Sequence, residues 1–411
     1  MNQSQAEQAV RRRQMFFIAG YELLPPVAHY NRFVRQLEIF ERTWGTAATA
    51  SSMRQGDRQL SWSVEASGAN WQTHTVWEFW SWDHIVRADN SKHFLWRLGH
   101  ATIAYLDLLF TGTIFRYLSA NARYLFFALV PPLAIGLFGI VALVAGIGFA
   151  QALQLTGAAR IVIIAATGVS GFFLLLRWPG RRWRIEQALD DWIFTHSYMR
   201  GRRRDVDARL ETFAARLVVC ARECTSQEIV IVGHSLGATL ALDVVARALA
   251  LDPDLGRHGT AVNILTLGAT IPKNALHPAA NRTRQAIHVV VAEPSIHWAE
   301  IHSRGDAISF YKFDPAMLRK IDVDKLAGKP VIRRVQIHDM LQPRTYSRIK
   351  MRVLRMHYQS VSANDRRSKY DYFMMALGPV PFRRWIVSPD GLLDFFEASS
   401  VHTVHLSGVA S

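Results

Sequence analysis

The chain has 411 residues, of which 50% are hydrophobic and 20% are charged. This length and composition suffice for one large or two ordinary domains with a buried core, and they argue against a disordered chain. The formal net charge of +15 predicts an anionic partner, either nucleic acid or an acidic membrane surface. Other features of the sequence must decide between these two partners.

The N-terminal region predicts a short buried strand over residues 15–21 and an amphipathic helix after Pro25 and Pro26. The inner face of this helix is predicted to carry Phe33, Val34, Leu37 and Phe40. Strand-like alternation follows at 60–65 and 71–87, and then a long helical stretch over about 91–121. That stretch fits either a core helix or an interfacial helix that leads towards a membrane.

Two apolar runs next in the chain predict a transmembrane hairpin. Residues 125–150 contain no charged side chain and exceed the roughly 20 residues that a bilayer needs. A second run, 158–178, reaches a marginal spanning length after a short polar break. The alternative is a buried hydrophobic hairpin in a soluble core, where runs this long rarely occur.

Arginines flank the hairpin on its outer sides and predict its orientation. They are Arg116 and Arg123 before the first span and Arg177, Arg181, Arg182 and Arg184 after the second. The connecting loop contains only Arg160, so both soluble flanks are predicted to be cytoplasmic. With no cleavable signal visible, we expect an integral protein of a bacterial inner membrane.

A second basic cluster at 200–204 follows the hairpin closely. Lipid headgroups are its expected surroundings, because no nucleic-acid-binding signature accompanies these arginines. Cys220 and Cys224 lie four apart on a predicted helix, a spacing that favours packing over a disulfide or a metal site. We therefore predict membrane lipids as partners and no nucleic acid, metal or cofactor.

A Gly-x-Ser-x-Gly motif at 233–237 follows a β-branched run and precedes a run of helix-forming residues. This is the nucleophile-elbow pattern, in which the strand ends at Val232 and a strained turn holds Ser235 out for attack. Only small flanking residues, here Gly233 and Gly237, allow such a turn. The motif alone would occur by chance in about one chain in ten, so the flanking strand and helix carry the prediction.

Further strands are predicted at 261–270 and 298–302, alternating with helices at 236–251 and about 283–293. Strand, helix and strand in this order predict a parallel sheet with right-handed crossovers. We divide the chain into residues 1–123, the first part of the sheet domain; 124–178, the hairpin; and 179–411, the main part with the elbow.

A serine hydroxyl needs a base in hydrogen-bond reach and a group that orients the base. If the three groups follow one another along the chain in the order serine, acid, histidine, Asp306 is the candidate for the acid, because it follows the predicted strand 298–302. A plain turn aspartate is the alternative interpretation. Asp314 is a weaker candidate, since an Asp-Pro pair usually starts a turn.

Four histidines lie downstream of Asp306 in the chain. His357 is favoured as the base because it follows the alternating segment 349–356, which predicts a last strand. His338 also ends a strand-like run and is the alternative base. His402 and His405 lie in a tail that looks poorly anchored.

A developing oxyanion needs backbone donors. One is the Leu236 N–H at the start of the helix, and the second is predicted in the loop at Gly20 and Tyr21, which closes the first strand. An ordinary turn at Gly20 is the alternative.

The elbow, the strand at 265–270, Asp306 after a Trp-bearing strand, and His357 resemble the α/β-hydrolase superfamily, nearest to class 3 (fungal-type) lipases. The resemblance covers 15–22 and 205–360. It implies a Ser235–His357–Asp306 triad with Leu236 and the Gly20 loop as oxyanion hole, acting on carboxylic esters. The inserted hairpin and the missing secretion signal depart from the family, so a triacylglycerol substrate does not follow.

The predicted fold is an α/β-hydrolase-like, mostly parallel sheet with helices on both faces, interrupted by the hairpin. The predicted function is a membrane-anchored, cytoplasm-facing serine hydrolase of lipid or acyl esters. The same triad could serve an acyltransferase or a thioesterase, and a non-catalytic membrane interaction protein is a third interpretation. The oligomeric state is not predicted.

Overall fold

The computed structural model describes residues 9–56, 59–321 and 328–396, which are built around a nine-stranded mixed sheet. The strands of this sheet are β1 (Arg12–Ile18), β2 (Ala47–Ala50), β3 (Arg54–Gly56), β4 (Gln59–Gly68), β5 (Trp71–Trp80), β6 (Glu228–His234), β7 (Ala261–Leu267), β8 (Ile296–Ser303) and β11 (Val331–Val335). Their order is β11-β8-β7-β6-β1-β5-β4-β2, with β3 beside β4. Two short strands, β9 (Phe313–Asp314) and β10 (Arg319–Lys320), form a separate ribbon.

Helices account for most of the remaining described residues. The longer ones are α1 (Pro26–Trp44), α2 (Asp83–Asn90), α3 (Phe94–Phe110), α4 (Thr113–Ala120), α5 (Ala122–Ala152), α6 (Gly157–Leu175), α7 (Ile185–Tyr198), α8 (Arg204–Glu223), α9 (Gly237–Leu251) and α11 (Asn281–Ala292). The shorter ones are α10 (Ile271–Ala275), α12 (Ile337–Met340), α13 (Pro343–Ile349), α14 (Val353–Tyr358), α15 (Tyr372–Leu377), α16 (Phe382–Trp385) and α17 (Leu393–Phe396).

The central strands are parallel. β1 pairs in parallel with β5 and β6, and β6, β7, β8 and β11 continue in the same direction, whereas the pairs made by β4 are antiparallel. The predicted α/β class with a mostly parallel sheet is confirmed. Because parallel strands end at one edge of a sheet, the loops after β1, β6, β7 and β8 lie close together.

Both faces of the sheet are buried. Phe16 and Ile18 of β1 belong to a core with Phe213 of α8, whereas Met15 and Phe17 belong to a core with Phe40 of α1. Alternate side chains of a strand point to opposite faces, so helices cover the sheet on both sides. On α1, Phe33, Leu37 and Phe40 are buried as predicted, but Val34 is exposed.

Two predictions about the first half of the chain are wrong in detail. Residues 83–87 belong to helix α2 and not to a strand, and Asp83 in the first turn suits the positive end of the helix dipole. The single helix predicted over about 91–121 is two helices, α3 and α4, bent by 73° where Gly112 adopts a left-handed conformation with φ of 68°.

Helices α5 and α6 are long and apolar enough to cross a membrane, which confirms that part of the sequence prediction. α5 has 31 residues, and α6 continues through a π-helical turn to Gly180, giving 24 residues. The bent pair α3 and α4 passes the same test of length and composition only if both helices are counted as one span.

A buried arginine joins the sheet to the C-terminal part of the chain. Arg13 Nε donates to Glu228 Oε1 at 2.6 Å, and the Arg13 guanidinium also donates to the carbonyl oxygens of Ala376, Gly378 and Val380. The side chains of Arg13 and Glu228 are only 1% and 5% exposed. Four charge-assisted bonds therefore fix the C-terminal segment against β1 and β6.

We expect Arg13→Ala to lower the free energy of unfolding by about 3–5 kcal/mol, because the change leaves the Glu228 carboxylate buried without its partner. Urea unfolding of the purified protein in detergent measures this loss. Arg12→Ala is the matched control, since Arg12 is exposed and should change stability by no more than about 0.5 kcal/mol. Equal unfolding midpoints for the two variants would contradict the prediction.

Candidate active site

Ser235 lies in the turn between β6 and α9, as the sequence predicts. Its φ of 57° is a left-handed conformation that a non-glycine residue rarely adopts, and its N–H donates to the Leu267 carbonyl oxygen at 2.9 Å. A Cβ built on Gly237 would lie 2.2 Å from the Ile18 carbonyl oxygen, so only glycine lets the helix start this close to β1. The turn is therefore strained at Ser235 and held in place from both sides.

Asp306 and His357 form a buried pair. His357 Nδ1 lies 2.8 Å from Asp306 Oδ2, and both side chains are less than 5% exposed. Asp306 Oδ1 also accepts the Ile308 backbone N–H at 2.9 Å. Burial by itself raises the pKa of Asp306, but His357 and these hydrogen bonds outweigh burial and hold this pKa below its ordinary value. An ionised Asp306 can orient the imidazole of His357 through Nδ1.

The element that carries His357 differs from the prediction. Residues 349–356 do not form a last strand; His357 lies near the end of helix α14, and the last strand beside β8 is β11. The alternation of basic and apolar residues in this segment does not mark a sheet face, because Met351 and Val353 are both exposed.

The alternative base, His338, lies away from the Asp306–His357 pair. It belongs to the short helix α12, its side chain is 53% exposed, and its Nε2 lies 3.0 Å from Asp339 Oδ1. His402 and His405 lie outside the described residues.

Ser235 and His357 line one cavity of about 800 Å³. Among the described residues, no hydrogen bond joins Ser235 Oγ to the His357 ring. Contacts of this kind are often long without substrate and tighten when substrate binds. The structure thus pairs the predicted acid with the predicted base and places the predicted nucleophile on the wall of the same cavity.

His234, next to the serine, packs behind the predicted base. Its ring centroid lies 4.6 Å from that of His357, and its Nε2 lies 3.3 Å from the His357 carbonyl oxygen. Burial, and next the proximity of His357, lower the pKa of His234 well below its ordinary value. A neutral His234 can donate to that carbonyl and support α14 without adding a charge beside His357.

The Gly20 loop lies against the elbow. A Cβ built on Gly20 would lie 2.9 Å from Ser235 Cβ and 3.3 Å from Ser235 Oγ, so a larger residue would collide with the serine. The hydrogen bonds of the described residues include no acceptor for the backbone N–H of Tyr21 or Leu236. The Tyr21 side chain points elsewhere, its hydroxyl donating to Asp89 Oδ2 at 3.4 Å. The backbone N–H groups of Tyr21 and Leu236 are therefore available as donors in the described part of the chain.

Two part-buried polar pairs near Ser235 have no motif in the sequence. Tyr358 donates to Glu22, and burial raises the pKa of Glu22 although this hydrogen bond opposes the shift. Lys273 Nζ donates to Asp191 Oδ2 at 2.6 Å and lies 4.5 Å from the ring centroid of Trp192. Burial lowers the pKa of Lys273, and Asp191 acts against this shift.

Lys273 and Asp191 also line a small chamber of about 60 Å³ that reaches Ser235 and Thr270. The buried Thr270 Oγ1 has no hydrogen-bond partner in the described part of the chain. Polar groups are thus available beside the serine for a water molecule or a leaving group.

The described residues contain no group of three or more His, Cys, Asp and Glu side chains that could hold a metal ion. Cys220 is buried and Cys224 is exposed, and both are free thiols.

The geometry consists of a strained serine after a parallel strand, a buried acid–histidine pair, and a glycine loop against the serine. Comparison with known proteins adds no relative to this description. No family model, no curated protein and no solved structure matches the chain.

Proposed function

We propose that the protein is a membrane-anchored serine hydrolase of the α/β-hydrolase type that cleaves carboxylic esters of lipids through an acyl-enzyme. The observation that carries the proposal is the buried Asp306–His357 pair, which shares a cavity with a serine in a strained elbow. A strained backbone, a paired base and a hydroxyl on the wall of the same cavity seldom coincide without chemistry.

In the proposed reaction, Ser235 Oγ attacks the ester carbonyl carbon while His357 Nε2 accepts the serine proton. Asp306, bonded to Nδ1, stabilises the imidazolium that forms. The backbone N–H groups of Leu236 and Tyr21 donate to the oxyanion. The imidazolium then protonates the leaving alcohol, and a water molecule deprotonated by His357 releases the acid from Ser235.

The lipid substrate is supported by the position of the apolar helices. Phe127, Val130 and Pro131 of α5 line the same cavity as Ser235. One wall of the cavity that would hold the substrate therefore belongs to a helix apolar enough to cross a membrane. Tethering to a bilayer would also raise the effective concentration of lipid esters at the site.

A fluorophosphonate probe tests the proposal, since it reacts covalently with an activated serine. The full chain is purified in detergent, and labelling is compared among wild type, Ser235→Ala and Ser91→Ala. Ser91 is an exposed serine at the end of α2 and serves as the matched control. We expect labelling of wild type and Ser91→Ala only. Equal labelling of all three proteins, or of none, would rule out a serine hydrolase that acts through Ser235.

A further inference from the structure

Three segments from distant parts of the chain line the Ser235 cavity, and each contributes an exposed side chain, Val130, Trp183 or Met351, so we take these segments as its mouth. The first is α5 at Phe127, Val130 and Pro131, the second is the linker 182–184, and the third is the segment 351–355. We call the second and third segments together the basic rim.

The position of the basic rim along the hairpin places it at the level of one membrane surface. α5 begins at Ala122 and α6 with its extension ends at Gly180, and these two ends lie on the same side because the helices form a hairpin. The cavity meets α5 roughly 8–14 Å along its axis from Ala122, at 1.5 Å per residue. The linker 182–184 begins two residues after Gly180. The cavity therefore opens where headgroups meet acyl chains.

The basic rim exposes large apolar side chains beside its charges. Met351 is 86% exposed, Trp183 is 56% exposed, and Val353 and Leu354 are also exposed. Exposed apolar residues that are continuous with a membrane helix, and a Trp just past its end, suit the interface between headgroups and hydrocarbon.

Four arginines surround the mouth: Arg182, Arg184, Arg352 and Arg355. None of them makes a salt bridge within the described residues, in contrast to the paired Arg97, Arg200, Arg203 and Arg247. The segment 343–355 contains five basic residues and no acidic one. The two carboxylates that line the cavity each accept a hydrogen bond, Glu22 from Tyr358 and Asp191 from Lys273. The rim is thus left strongly positive.

We propose that the basic rim binds the phosphate of anionic phospholipids and that one such lipid enters the cavity sideways from its leaflet, as the substrate of Ser235. This inference rests on the proposed function. Guanidinium groups bind phosphate with two parallel hydrogen bonds. In a zwitterionic headgroup, the lipid's own cation partly compensates the charge of the phosphate, so an anionic lipid should bind the arginines more strongly. The volume of about 800 Å³ admits the ester region of one lipid while its acyl chains stay beside α5.

The experiment uses the full chain reconstituted in vesicles of phosphatidylcholine mixed equally with phosphatidylglycerol. Fatty acid released from each lipid is measured by mass spectrometry. We expect the wild type to hydrolyse phosphatidylglycerol at least about tenfold faster than phosphatidylcholine. Arg352→Gln with Arg355→Gln should lower this ratio at least about threefold, and lysine at both positions should restore only part of it, because an ammonium group keeps the charge but not the paired hydrogen bonds.

The matched control removes two arginines from the opposite edge of the sheet, as Arg12→Gln with Arg383→Gln. Arg12 begins β1, and Arg383 follows Phe382, whose N–H donates to Glu228 at the start of β6. This variant should keep the wild-type ratio, since its lost charges lie far from the mouth.

The outcomes separate the inference from the proposed function. A wild type that reacts with the fluorophosphonate probe but hydrolyses both lipids equally overturns the inference alone. A wild type that does not react with the probe overturns the proposed function as well. A third outcome is that the wild type prefers a soluble phosphate-bearing ester to its neutral analogue but shows no preference between the two lipids. This result would show that the rim binds free phosphate esters and not a leaflet.

Discussion

Replacing His357 with alanine is expected to lower the turnover of a short p-nitrophenyl ester by about 10⁴- to 10⁶-fold. Without the imidazole, Ser235 loses the base that Asp306 orients, and Asp306 is left buried without its partner. The turnover that remains would come from the oxyanion donors and from binding alone. Steady-state kinetics of the purified full chain in detergent measure the loss.

His338→Ala is the matched control, because His338 is the other downstream histidine in the described residues. Its side chain is exposed and lies against Asp339, so its removal should change turnover by no more than about twofold. If His338→Ala abolishes turnover and His357→Ala does not, the base is misassigned and the buried Asp306–His357 pair has a structural role only.

The parts of the site that could be predicted from sequence are those fixed by contiguous residues. The elbow is such a part, because strand, turn and helix all lie within residues 228–251 and each is determined by its own composition. The order of parallel strands then places the loop after β8 beside the loop after β6. For this reason Asp306 could be located without any knowledge of long-range contacts.

The strand predicted at 349–356 shows where such reasoning fails. Alternation of apolar and basic residues normally marks a strand with one buried face. Here the position beside β8 is taken by β11, the segment does not pair with the sheet, and Met351 and Val353 are exposed. Alternation therefore does not mark a strand in this segment, because most of its side chains lie on the surface and its last residues belong to helix α14.

The two polar pairs near Ser235 could not be predicted for a different reason. Lys273 and Asp191 are 82 residues apart, and Tyr358 and Glu22 are 336 residues apart. No spacing in the sequence identifies either pair, because the two residues of each pair come into contact only after the helices have packed over the sheet. Contacts of this kind depend on the tertiary fold and not on any local pattern.

Asp306→Asn is expected to lower kcat by about 10⁴-fold while the fold is retained. The asparagine oxygen can still accept the Ile308 N–H, so the turn that holds residue 306 should persist. Its amide nitrogen, however, is a donor and would face His357 Nδ1 in place of the carboxylate oxygen. Nδ1 must then act as the acceptor, which moves the ring proton to Nε2. An imidazole protonated at Nε2 cannot take the proton of Ser235, so attack on the ester slows although every heavy atom stays near its place.

Asp314→Asn is the control for this change, because Asp314 was the competing candidate for the acid. Its Oδ1 accepts the N–H groups of Ala316 and Met317, a role that asparagine also fills, so turnover should fall by no more than a few-fold. A loss confined to Asp314→Asn would move the acid to that position. A loss in Asp306→Asn confined to KM would instead mean that Asp306 shapes the cavity without orienting the base, since the orientation of His357 affects the chemical step and therefore kcat.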